Sequence, residues 1–214
     1  MSKFKFRYMH INKCGGTSIH QWFGDNNTLP LFGAPGDHII VLNFDPEITN
    51  ITTVRNPYDR VNSVFNQWRK NGWLQEMKLK TFVKLLPECV KEESCENLIK
   101  PDVWNRWPDI PDFRSPVGVR MIMPCSYWIK DFKNFNIFKL EELEKMQNFF
   151  INKGCKIITN LKTTKHETTI TEGLPTYLQN YSQKEMKIIE NLFHSDFVNF
   201  KYEKKSVNTK WRIG

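Results

Sequence analysis

The chain contains no uninterrupted apolar run of membrane-spanning length, and its first residues lack the charged, apolar and small-residue succession of a signal peptide. Both absences lead to the expectation of a cytoplasmic protein with no membrane span. Cysteine is sparse: Cys14, Cys89, Cys95, Cys125 and Cys155 are five in number and include no C-x-x-C pair, so neither zinc nor another metal site is expected. Cys89 and Cys95 are close enough for a local bridge in an oxidising compartment, whereas in a cytosol they read as thiols. The pattern G-x-x-x-x-G-K-[ST] is missing, and no apolar strand ends in an acidic residue suited to magnesium. There is no internal repeat, no low-complexity tract and no nucleic-acid-binding signature.

What is present is an ordinary globular composition with two biases. At 214 residues the chain has the length of one domain, and 40% hydrophobic residues suffice for a core. The first bias is aromatic: 16 Phe and 7 Trp are generous, so most are expected in the core and part of the surplus is available to line a cleft. The second is electrostatic. Thirty-one basic against 23 acidic side chains give a net charge of +8, which favours anionic ligands without choosing among nucleotides, acidic sugars and nucleic acid.

The most informative stretch is His10-Ile11-Asn12-Lys13-Cys14-Gly15-Gly16-Thr17-Ser18. Before it, the alternation of Phe4, Phe6 and Tyr8 predicts a strand; after it, Ile19, Trp22 and Phe23 recur at helical spacing. Two glycines between a strand and a helix let the backbone approach a ligand closely, and the amides and dipole of the helix start then face an anion. Lys13 adds a charge, and the hydroxyls of Thr17 and Ser18 add donors. A tight turn with no ligand is the simpler alternative. Cys14 as a nucleophile is a weaker one, because no His or Asp is paired with it in the sequence.

Further along, Gly24 to Gly36 reads as loop, and Ile39 to Leu42 as a second strand with His38 at its start. The β-branched run Ile51-Thr52-Thr53-Val54 predicts a buried strand, ended by Arg55-Asn56-Pro57, where Asn56 suits an N-cap and Pro57 the first helical position. In the helix that follows, Val61, Val64, Phe65 and Trp68 form the core stripe, and Arg60 and Ser63 lie off it. Arg55 at the strand end and Ser63 two turns into the helix are placed to converge on one ligand at the carboxyl edge of a sheet. Leu79 to Val90 predicts a helix, and Leu98 to Pro116 a loop containing Trp104 and Trp107. A short strand at Ile137 to Leu140 precedes a helix through Phe150, and Ser182-Gln183-Lys184-Glu185 is a capping box. The expected fold is α/β: a single domain, residues 1–214, with a mostly parallel central sheet flanked by helices, a P-loop-like phosphate-binding turn after the first strand, and an insertion at about 72–116 that shapes an acceptor site or lid.

His10 to Ser18 together with Val54-Arg55-Asn56-Pro57-Tyr58-Asp59-Arg60-Val61-Asn62-Ser63 resembles the two cofactor signatures of sulfotransferases that use 3′-phosphoadenosine 5′-phosphosulfate (PAPS), and is most similar to the carbohydrate sulfotransferase branch. Cys125 to Ile129, Phe138 to Leu143, Lys165-His166 and Asp196 to Tyr202 resemble that branch more loosely, so the likeness spans most of the chain and is least at 72–116. The resemblance implies that Lys13, Cys14, Gly15, Gly16, Thr17 and Ser18 hold the 5′-phosphosulfate, with Lys13 on the bridging oxygen. It implies that Arg55 and Ser63 hold the 3′-phosphate and that Lys165, with His166, approaches the nucleotide; a solvated basic loop is the alternative for these last two. Cys14 stands where the family commonly has Thr or another small residue, a change the backbone donors tolerate. The implied reaction transfers a sulfuryl group to an acceptor hydroxyl, most readily a glycan's, releases 3′-phosphoadenosine 5′-phosphate (PAP) and needs no metal.

The resemblance fixes no base. His38 is the first choice, because the segment between the signatures supplies a histidine in several relatives; Asp37, His20 and a residue of 72–116 are the alternatives. Two other classes stay open at this point: a nucleotide kinase or ATPase, and a non-enzymatic basic domain that binds a polyanion.

Overall fold

In the computed structural model the described residues are 4–31, 45–72, 74, 76–91, 121–129, 132–161, 170–171 and 174–206. The expected strand at 39–42, the 98–116 loop and its tryptophans, and the residues Asp37, His38, Lys165 and His166 lie outside them. The chain divides into two compact units: Met1–Asn56 with Cys125–Glu167, and Pro57–Pro124 with Thr168–Gly214.

The first unit is built on three parallel strands, β1 (Phe6–Met9), β2 (Thr49–Val54) and β3 (Phe135–Lys139), in the order β1-β2-β3. The register sets Tyr8 beside Ile51, Met9 beside Thr52, and Val54 beside Lys139. Period-two alternation turns Phe6, Tyr8 and Ile51 to one face. There they meet Ile19, Trp22 and Phe23 of helix α1 (Gly16–Asp25) and Leu143, Met146 and Phe150 of a later helix, Leu143–Asn152. Part of the aromatic content of the sequence packs here. The Phe6 ring lies 5.1 Å from that of Phe23 and 5.0 Å from that of Phe150, and Trp22 lies 5.5 Å from Phe150, tilted or edge-on as aromatic quadrupoles prefer. Burying such a side chain contributes roughly 1.5–3 kcal/mol each. The parallel α/β architecture expected from the alternation of strands and helices, with a glycine turn after the first strand, is the one observed.

Because all three strands run the same way in near-level register, their carboxyl ends form a single edge. The segment after β1 is the glycine turn, the segment after β2 is Arg55-Asn56, and the segment after β3 is Leu140-Glu141, which opens a short 3-10 turn, Leu140–Glu142.

Among its described residues the second unit is helical apart from a two-residue antiparallel pairing of Ile170–Thr171 with Leu174–Pro175. Its longer helices are α2 (Pro57–Lys70), α3 (Leu79–Lys91) and a C-terminal pair, Gln183–Leu192 and His194–Asn199. The predicted stripe Val61, Val64, Phe65 and Trp68 is buried, with Phe82 of α3 5.4 Å from Phe65 and 5.7 Å from Trp68. The capping box forms: Glu185 accepts the Ser182 N–H at 2.9 Å. Arg60 differs from its reading as an off-stripe residue. It is fully buried because two main-chain acceptors are supplied to it, the carbonyls of Met123 at 2.7 Å and Met121 at 3.0 Å. A further short helix starts at His194, directly after the Gln183–Leu192 helix.

Candidate functional site

The turn after β1 is wound against the usual preference of its residues. The Cys14 N–H donates to the Ile11 carbonyl at 3.2 Å, closing a four-residue turn whose third position is Lys13. That position has φ +62°, the left-handed value for which a type II turn favours glycine. A side chain there costs on the order of 1 kcal/mol, and such cost clusters at functional positions. Gly15 follows at φ +82°, where glycine is required. Left-handed residues placed this closely turn successive N–H groups inward and make an anion-binding concavity.

Helix α1 opens directly on this turn. Its N-cap is Gly15, with no capping side chain and no acidic residue in the first turn. The Ile19 N–H donates to the Gly15 carbonyl at 3.1 Å, and the amides of a helix's first turn point past its N-terminal end. The helix beginning at Gln183 instead carries both a capping box and an acid in its first turn. The positive end of α1 thus meets no acidic side chain of its own, as suits a helix start that receives an anion.

A buried relay fixes the turn from beneath. The Tyr8 hydroxyl lies 2.6 Å from Thr53 Oγ1, and Thr53 Oγ1 donates to the Cys14 carbonyl at 2.8 Å. A threonine has one hydroxyl proton, so Tyr8 donates to Thr53 and Thr53 to the turn. Burial drives the Tyr8 pKa far above its usual value, which keeps the phenol a donor. One residue earlier, Thr52 Oγ1 donates to the Met9 carbonyl at 2.8 Å. The two threonines of β2 therefore serve the end of β1, a pairing that nothing in a β-branched run announces. Steric fit does the rest: a Cβ at Gly15 would stand 2.4 Å from Leu140 Cδ1, and one at Gly16 only 1.9 Å from Nε2 of the buried His10 ring.

The other strand ends bring charge to the same edge. Arg55 is buried, and its Nη1 donates to the Lys13 carbonyl at 3.3 Å, so one guanidinium links the end of β2 to the strained residue of the turn. Glu141, an exposed carboxylate after β3, accepts the Asn56 N–H at 2.7 Å. It had no sequence signal, because a glutamate opening a helical turn reads simply as a favourable first-turn acid.

The structure thus brings Lys13, Cys14, Gly15, Gly16, Thr17, Ser18 and Arg55 together in the first unit. Thr17 is exposed, and Lys13 and Ser18 are half-buried. Ser63 is half-buried on α2 of the second unit. His20 is a buried ring of α1, with its centroid 5.2 Å from Tyr8, 5.7 Å from His10 and 6.1 Å from Phe23. Cys14 is buried with its Sγ 3.6 Å from Sγ of Cys125, the first residue of a four-residue helix, Cys125–Trp128. Among the described residues no group of three or more His, Cys, Asp or Glu is arranged to hold a metal, and no helix is long and apolar enough to cross a membrane.

No protein-family model matches the chain, and no curated protein sequence does. Among solved structures, the crystal structure of a sulfotransferase from Alicyclobacillus acidocaldarius aligns with a TM-score of 0.31 and 13% identity, over 73% of this chain. The chain spans 59% of that protein's length.

Proposed function

We propose that the chain is a PAPS-dependent sulfotransferase that moves a sulfuryl group to an acceptor hydroxyl, with a carbohydrate as the acceptor. The observation that carries the reading is the Lys13–Gly15 turn: two left-handed residues on a helix start without a cap, with the Arg55 guanidinium on the Lys13 carbonyl. That arrangement fits the 5′-phosphosulfate of a nucleotide, and the two sequence signatures supply the second half of the ligand. In this reading residues 1–214 are one sulfotransferase-like domain, with 72–116 shaping the acceptor side.

Sulfuryl transfer leaves negative charge on the departing phosphate, so the enzyme has to supply donors where that charge grows. Lys13 neutralises the bridging oxygen, and the amides of Gly15 and Gly16 with the hydroxyls of Thr17 and Ser18 hold the phosphate. Arg55 and Ser63 select the 3′-phosphate, and Lys165 approaches the nucleotide from the C-terminal side. His38 takes the proton of the acceptor hydroxyl.

Calorimetry with PAP, ADP and ATP tests the nucleotide assignment. PAP is expected to bind at least tenfold more tightly than ADP, and Arg55→Ala to remove most of that preference, a loss of about 1.5–3 kcal/mol for a charge-assisted contact. Equal binding of ADP and PAP refutes the assignment and favours a kinase or ATPase. For the base, turnover is followed with a radiolabelled sulfate donor over a panel of glycan, phenol and peptide acceptors. His38→Ala is expected to lower kcat by about 10²–10⁴-fold with PAP affinity unchanged. Near-normal turnover would end its role, and the same loss in Glu141→Gln would move the role to the carboxylate at the sheet edge.

A further inference from the structure

We infer that Cys14 and Cys125 form an oxidation site, and that the disulfide they make deforms the phosphate turn and switches off nucleotide binding. The two residues are 111 apart in sequence, yet their sulfurs lie 3.6 Å from each other, both fully buried. Both are thiols in the structure. A disulfide requires a separation of about 2.05 Å, so from 3.6 Å the sulfurs have to close by about 1.5 Å. Side-chain rotation covers part of that distance, and the inferred remainder is a shift of the main chain at Cys14.

The inferred movement is that of the turn, because a covalent pull on Cys14 Sγ acts directly on the main chain that Thr53 and Arg55 hold. Cys14 sits between the two left-handed residues, Lys13 and Gly15; its N–H donates to the Ile11 carbonyl and its carbonyl accepts from Thr53 Oγ1. Drawing Sγ toward Cys125 moves that carbonyl off Thr53. It also moves the adjacent Lys13 carbonyl, which Arg55 holds at a marginal 3.3 Å. Every proposed contact to the 5′-phosphosulfate lies on Lys13 or within the five residues after it. The same coupling works in reverse: a ligand that holds the turn in its reduced form opposes disulfide formation.

The chemistry needs a two-electron oxidant small enough to reach a buried pair, and a hydroperoxide is of that class. One thiolate attacks an oxygen of hydrogen peroxide, the O–O bond breaks to give a sulfenic acid, and the departing hydroxide takes up the proton that the thiol released and leaves as water. The second thiol then attacks the sulfenic sulfur, the S–S bond forms and a second water leaves. In sum two S–H bonds break, one S–S bond forms, and the peroxide accepts two electrons and two protons.

The consequence for nucleotide binding rests on the function proposed above, whereas the disulfide itself does not, and the experiment separates them. The reduced full-length chain is treated with hydrogen peroxide, digested without reductant and mapped by mass spectrometry, and PAP affinity is measured in parallel. The expected result is a Cys14–Cys125 cross-linked peptide, suppressed by saturating PAP. PAP affinity falls at least tenfold and returns on reduction. Cys125→Ser and Cys125→Ala should retain their affinity under the same treatment, and the pair of substitutions guards against one of them failing to fold. The inference is overturned if peroxide modifies other thiols without linking these two, or if the link forms and affinity stays constant. A reduced protein that never binds PAP refutes the sulfotransferase reading, and peptide mapping still decides whether the disulfide forms.

Discussion

Gly16→Ala is the substitution that most directly probes how the turn is held. The added methyl would stand 1.9 Å from His10 Nε2, 2.0 Å from Cδ2 and 2.4 Å from Cε1, inside the van der Waals envelope of the whole imidazole edge. The ring has little room to retreat, since it is 8% exposed, with Tyr8 stacked at 6.4 Å and His20 at 5.7 Å. Overpacking of this kind costs about 1–3 kcal/mol, and replacing a helical glycine by alanine returns at most about 1. The net expectation is a loss of roughly 1–2 kcal/mol, or a fall in Tm of about 2–8 °C for a chain of this length. Urea unfolding read by tryptophan fluorescence measures it. Because the cost is a specific overlap, His10→Ala should relieve it: the double variant is expected to be more stable than the sum of the single losses predicts, by about 1–2 kcal/mol. Additive losses, or a Gly16→Ala protein as stable as the parent, would show that the ring does not fill the space beside Gly16.

Thr53→Val removes a hydroxyl of nearly the same volume and leaves the buried Tyr8 phenol and the Cys14 carbonyl without their shared partner. The expected cost is about 1–3 kcal/mol, with a parallel loss of PAP affinity, and Thr53→Ser should recover most of both in thermal melts and calorimetry. Glu190 gives a pH signature in the second unit. Burial by itself would raise its pKa, but hydrogen bonds from Ser206, Tyr58 and the Lys205 amide outweigh burial and hold the carboxyl below its ordinary value of 4.5. A carboxyl depressed in the folded state stabilises above its unfolded pKa, and that stability is lost as pH falls through the lower folded one. Thermal melts from pH 7 to pH 3 should therefore show a steeper decline below about pH 4.5 in the parent than in Glu190→Gln, which starts from a lower Tm at neutral pH. Parallel declines would refute the linkage.

Local patterns made much of the architecture readable. Period-two alternation located β1, a β-branched run β2, and period-3.6 stripes α1 and α2, while cap chemistry located the starts of α2 and of the Gln183 helix, because those signals are set by neighbours a few residues away. The groups that fix the site were less legible, since they depend on register. Thr53 reaches the Cys14 carbonyl only because β1 and β2 are parallel with Met9 beside Thr52. Arg60 is buried only because the carbonyls of Met121 and Met123, some sixty residues on, face it. Leu140 and Glu141 reach the turn and Asn56 only because β3 pairs with β2. A sequence shows that a threonine or arginine is present, but its partner is chosen by the sheet.

The same logic explains why the edge is suited to an anion. Three parallel strands in level register deliver three chain segments to one side, and each leaves by a different route. The first turns through left-handed residues into an uncapped helix, the second ends in an arginine, and the third opens a 3-10 turn. The buried stripe of α1, Ile19, Trp22 and Phe23, lies beyond the turn, whereas the left-handed φ of +62° is at Lys13 within it. The relay from Tyr8 through Thr53 and the guanidinium of Arg55 are what hold the strained carbonyls in place, and both arise from the strands rather than from the helix. Buried hydrogen bonds from two strands are thus committed to one strained turn, and under the proposed sulfotransferase reading that is the preorganisation that stabilising charge on a departing phosphate requires.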